Sequence, residues 1–176
     1  MSRMVRDSSV GGLRERHWFA RVMLADLLEG VKQGRAAGEL LALRGAVIFH
    51  LYSALVGLAR EVARGHGMSE SIEHLLGLRA IAERFSELSA PEWQLVAEAL
   101  ADPADPICWL DQEVLAACGS ASLARRPTGP AEENPLAVSL EDPNKPLAEG
   151  DLQRLQAAVT RVQTILSDAT SQMQEW

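Results

Sequence analysis

The chain has 176 residues, 47% of them hydrophobic and 23% charged, a size and balance that suit one folded domain with a real core and exclude wholesale disorder. A net charge of −7 argues against a general nucleic-acid-binding protein. Aromatic residues are only 5%, and the predominance of Leu and Ala among the apolar residues favours helices over strands.

Residues 1–10 read as a frayed tail. Leu13 to about Gly34 is predicted as a long helix, with Trp18, Val22, Leu24, Leu27, Leu28 and Val31 at helical spacing. A turn follows around Gly34–Ala37. Glu39 to about Arg64 is the second and most apolar helix, through Leu40, Leu43, Val47, Leu51, Leu55, Leu58 and Val62; Gly65 and Gly67 end it. A third helix is expected from Ser69 or Ser71 to about Leu88. Ser89-Ala90-Pro91-Glu92 has the capping-box pattern and starts a short helix to about Ala101. Asp105-Pro106 starts another, to about Cys118. The segment 119–150 holds five prolines and few core-type residues, so it reads as a Pro-rich connection, either a mobile crossover or a stretch wrapping the bundle surface, and is expected to be the most mobile part. Asp151 to about Gln174 is the last helix, with Leu155, Val162, Ile165 and Ala169 on its stripe. These parts sum to an all-α fold: one helical bundle of four to five main helices over residues 1–176, with the second helix the most buried.

Charge is unevenly spread. Residues 1–66 carry 10 Lys/Arg against 6 Asp/Glu, and residues 67–176 carry 7 against 18. The two cysteines, Cys108 and Cys118, are ten residues apart. On one helix they would be separated by about 15 Å of rise, too far for a disulfide. Reduced thiols and the absence of a hydrophobic leader point to the cytoplasm. The longest uncharged apolar stretch, Gly45–Ala59, is shorter than a membrane span of about 20 residues and suits a core helix, so no membrane association is expected.

No recognised catalytic or cofactor motif is present. None of His17, His50, His66 and His74 has Glu three positions before it, and there is no HxxxH, HExxH or CxxC, so no metal site is expected. A nucleophile elbow, a P-loop and a dinucleotide fingerprint are also missing, and no cofactor is expected. Arg14, Arg16, Arg21, Lys32, Arg35 and Arg44, with His17 and Trp18, would make a basic region on which Trp18 could stack a base. Glu15, Asp26, Glu29 and Glu39 lie among them and offset most of that charge.

The segment Arg44-Gly-Ala-Val-Ile-Phe-His50-Leu-Tyr52 resembles the Arg-x(4–6)-His signature of HEPN domains, small helical bundles in which an Arg and a His often cleave RNA across a homodimer interface. The resemblance implies His50 as acid and base and Arg44 as the phosphate holder. The chain departs from the pattern in carrying Gly45 where a polar residue is usual. Arg60-Glu-Val-Ala-Arg-Gly-His66 repeats the spacing. On one helix a six-residue step sets Arg44 and His50 about 120° apart.

The string Arg44–Ala59, a Leu-rich helix after it, a Pro-bearing middle and the ending Met173-Gln174-Glu175-Trp176 together resemble a family of small all-helical proteins from pseudomonads and related bacteria, a domain of unknown function. That resemblance implies a helical fold and no mechanism. The function expected is a non-enzymatic cytoplasmic interaction protein that self-associates, with a further protein partner open and nucleic acid disfavoured. The alternative is a HEPN-like ribonuclease or RNA-binding bundle using Arg44 and His50.

Overall fold

A stripe of Leu13, His17, Ala20, Leu24 and Leu27, at alternating steps of four and three, is the buried face of the first helix, α1 (Ser9–Gln33). Half of the stripe expected from residue type is on the outside: Trp18 is 56% exposed, and Val22 and Val31 lie outward as well. The core face uses a histidine and an alanine where hydropathy favoured large apolar residues, and those larger residues take the solvent side. A computed structural model describes residues 9–69, 75–86, 90–118, 147, 148 and 150–174.

Gly34 ends α1 at φ +67°, a left-handed conformation open to glycine at little cost. Its N–H donates to the Val31 carbonyl at 3.2 Å and the Arg35 N–H to the Gly30 carbonyl at 3.0 Å, the paired bonds of a Schellman stop. The short turn returns the chain as α2 (Ala37–Gly65), packed antiparallel along α1. Gly67, at φ +70°, stops α2 in the same way: the Gly67 N–H donates to the Arg64 carbonyl and the Met68 N–H to the Ala63 carbonyl.

α2 is the central helix. Leu51, Leu55 and Leu58 have no exposed surface, and α2 touches every other described helix. By length and composition it is the one described helix able to cross a membrane, but 61% of its most apolar stretch is buried inside the fold.

The expected third helix is interrupted: among its described residues Ser69 is helical and 75–77 are not. α3 spans only Leu78–Arg84. The extended stretch ending at Gly77 leaves Leu76 67% exposed, while Leu78, Ile81 and Phe85 supply the buried contacts. The expected caps Ser71 and Ser89 lie outside the described residues. α4 (Pro91–Ala101) begins with Ala90 at its N-cap and proline in its first turn, without a side-chain cap bond. α5 (Pro106–Cys118) is capped by Asp105, whose Oδ1 accepts the Ile107 N–H at 2.8 Å. α6 (Asp151–Gln174) packs against α1, α2, α4 and α5. Buried apolar residues from all six helices join in one core cluster. The fold is all-α, with no strand among the described residues. The Pro-rich segment and residues 1–8 fall outside the described residues, apart from 147, 148 and 150.

Candidate functional site

Arg44 is the one Lys, Arg, Asp or Glu between Leu40 and Ala59. A charge on so apolar a helix must be paired or held in water. It is paired: the side chain has no exposed surface, Nε donates to Asp151 Oδ2 at 2.7 Å and Nη2 to Asp151 Oδ1 at 3.2 Å. Nη2 also donates to Glu113 Oε2 at 2.8 Å, and the guanidinium lies 6.0 Å from the Trp109 ring centre. Burial by itself would lower the Arg44 pKa, but the hydrogen bonds and charges of Asp151 and Glu113 outweigh it and raise the pKa. The cluster ties α2 to α5 and to the first residue of α6. There the Asp151 carboxylate also meets the positive end of the helix dipole.

A second buried polar group continues along α5. Tyr52 accepts the Leu78 N–H at 3.0 Å and donates its hydroxyl proton to Asp111 Oδ1 at 3.1 Å. Arg79 donates to Asp111 Oδ2 at 2.8 Å and to Cys108 Sγ at 3.4 Å. Burial first, then the Asp111 charge against the Leu78 bond, hold the Tyr52 phenol well above its ordinary range, so it stays protonated and keeps donating. Cys108 is thus a buried thiol with polar neighbours, while Cys118 is exposed.

His50 is on another side of α2. Its half-buried ring lies 5.4 Å from Phe19 and 5.5 Å from Phe49, centre to centre, and Trp18 extends the row from Phe19 at 5.4 Å. The structure therefore does not bring Arg44 and His50 together. The guanidinium is enclosed among α2, α5 and α6, and the imidazole sits at the α1–α2 edge. An Arg–His pair acting on one phosphate needs both groups at one opening. Among the described residues no group of three His, Cys, Asp or Glu is placed to hold a metal ion.

The basic region of the first two helices is mostly neutralised. Lys32 pairs with Glu29, Arg35 with Asp26 and Glu39, and Arg16 donates to the Ser53 carbonyl at 2.9 Å. Arg14 and Arg21 differ. They line a cleft of about 490 Å³ between α1 and α6, with Trp18 between them in sequence and Gln163 and Ser167 across from them on α6. His17 is buried beside this cleft and donates from Nε2 to the Val159 carbonyl at 3.0 Å.

Burial, aided by Arg21 and opposed by the Val159 bond, lowers the His17 pKa below its ordinary 6.5. The unfolded chain therefore takes up a proton near 6.5 that the folded chain resists, and stability falls as pH drops through that value toward the lower folded pKa. Thermal melts across this range should show the midpoint falling on acidification. In His17→Gln, whose amide can donate to the same carbonyl, the fall should be smaller; an equal fall would rule out His17 as its source.

No family model, curated protein or solved structure matches the chain, so its function is read from this geometry.

Proposed function

We propose that the protein is a non-enzymatic helical-bundle interaction protein of the cytoplasm that self-associates through the outer face of α2. The observation that carries this reading is a seam of Ala42, Ala46, Phe49 and Ser53. Their steps of four, three and four are those of a coiled-coil contact line. The seam faces away from the core: Ala42 is exposed, Phe49 is 57% exposed, and Ala46 and Ser53 are half-buried. The seam's own side chains are uncharged, the guanidinium of Arg44 being turned inward, and the exposed Arg16 of α1 reaches only its Ser53 end.

A second copy suits this seam by size and by charge. In an antiparallel two-fold pairing, Phe49 of one chain lies over the small Ala46 and Ala42 of the other, and the reverse holds by symmetry. An uncharged seam brings no like charges into direct contact, although each copy carries −7 overall. Phe19 and His50 extend an aromatic rim beside it. The free thiols Cys108 and Cys118 support the cytoplasmic placement.

Sedimentation equilibrium over a wide dilution series tests the reading. The parent chain should dissociate on dilution, and Phe49→Asp should weaken association by about thirtyfold or more, the loss of about 2 kcal/mol typical of a central aromatic contact. A parent chain that is monomeric at several hundred micromolar would end the self-association reading.

A further inference from the structure

The α1–α6 cleft is separate from the α2 seam and has its own chemistry. Arg14 and Arg21 are exposed, and among the described residues neither has an ion-pair partner. They are two helical turns apart on α1, about 10 Å along the axis. Flexible guanidinium side chains can close that gap from both ends onto one anion. Trp18, one turn from each, presents a large indole at the mouth, 56% exposed. Leaving that much indole in water costs hydrophobic free energy that a stacked planar ring would recover. The Gln163 amide and Ser167 hydroxyl face it from α6, and the Glu15 carboxylate lies at the rim. Those groups can accept and donate hydrogen bonds to ring amino groups and sugar hydroxyls.

We infer that this cleft binds a mononucleotide, its base stacked on Trp18 and its phosphate held by Arg14 and Arg21. The volume, about 490 Å³, lies within the range of sites for ligands of that size. A single nucleotide fits better than a nucleic-acid strand. Carboxylates stand at the edge of the cleft, Glu15 on α1 and exposed Asp168 next to Ser167 on α6, and a polyanion leaving the cleft would meet those charges.

Titration calorimetry of the full chain with AMP tests this, with adenosine and inorganic phosphate as fragments. AMP should bind saturably, one per chain, and each fragment should bind at least tenfold more weakly. Arg21→Ala and Trp18→Ala should each weaken AMP at least tenfold, while Trp18→Phe, which keeps a stacking ring, should lose less than Trp18→Ala. These side chains are exposed, so the variants should melt like the parent; if one does not, Arg14→Gln takes its place. Phe49→Asp should bind AMP as the parent does. No saturable AMP binding at millimolar concentration overturns the inference. So does phosphate binding as tightly as AMP, which marks a bare anion site. Displacement of AMP by a single-stranded RNA of higher affinity overturns the choice of a mononucleotide.

Discussion

Asp151→Ala should destabilise the protein by about 3 kcal/mol or more, measured by urea unfolding. The side chain removed is small, but it takes away both hydrogen bonds that Asp151 receives from a guanidinium with no exposed surface. Glu113 remains as a partner on Nη2, at the more accessible end of the cluster, and cannot replace the bond to Nε. The comparison that isolates the mechanism is the double variant Arg44→Met with Asp151→Leu. Removing both charges leaves no fully buried ion unpaired, only Glu113, whose carboxylate still touches water, so the double change should cost less than Asp151→Ala alone. Glu113→Ala, at a carboxylate that still touches water, should cost less than either. If Asp151→Ala unfolds within about 0.5 kcal/mol of the parent, water reaches the pair and the cluster is not the clamp described above.

Leu51→Ala should cost about 2–5 kcal/mol in the same measurement. Leu51 has no exposed surface and lies at the middle of α2, the helix that every other described helix touches. Truncation there removes apolar burial and leaves a cavity that the helices packed on α2 cannot all move to fill. Leu51→Met, which nearly conserves volume, should cost under about 1.5 kcal/mol. A near-neutral Leu51→Ala would mean that the centre of the fold relaxes freely.

Helical spacing made most of the fold legible. α2, α4, α5 and α6 lie within about two residues of their expected ends. Gly34 and Gly67 stop their helices for the conformational reason that singled them out. The reading was less accurate where residue type was made to stand for burial. On α1 it placed Trp18, Val22 and Val31 on the core stripe and passed over His17 and Ala20. A period of 3.6 tolerates several stripes, and hydropathy picks the wrong one when a functional or interfacial aromatic lies outside. The third helix was read straight through the non-helical stretch 75–77 because Leu75, Leu76 and Leu78 continue an apolar rhythm across it.

Of the candidate site, Arg44 and His50 were singled out by type and spacing, but their surroundings were not legible. The partners Asp151 and Glu113 are 107 and 69 residues from Arg44 in the chain. The available signal was Arg44 itself, a lone charge on the most apolar helix, which required a buried carboxylate somewhere. The cleft was legible only on its α1 side, through Arg14, His17, Trp18 and Arg21. Gln163 and Ser167 are ordinary residues on the polar side of a helix until α6 is docked beside them.

The place of Asp151 at the very start of α6 has a consequence for alignment. The apolar stripe of that helix, Leu155, Ala158, Val162, Ile165 and Ala169, repeats with near-heptad spacing. Hydrophobic contact alone discriminates poorly against a slide by one repeat, which again lays apolar side chains over apolar side chains. Such a slide would carry Asp151 two turns, about 10 Å, away from Arg44 and strip the enclosed guanidinium of its fully buried carboxylate. The paired bonds between two side chains 107 residues apart thus act as a registration pin, selecting one seating of the last helix from several that apolar contact alone would permit.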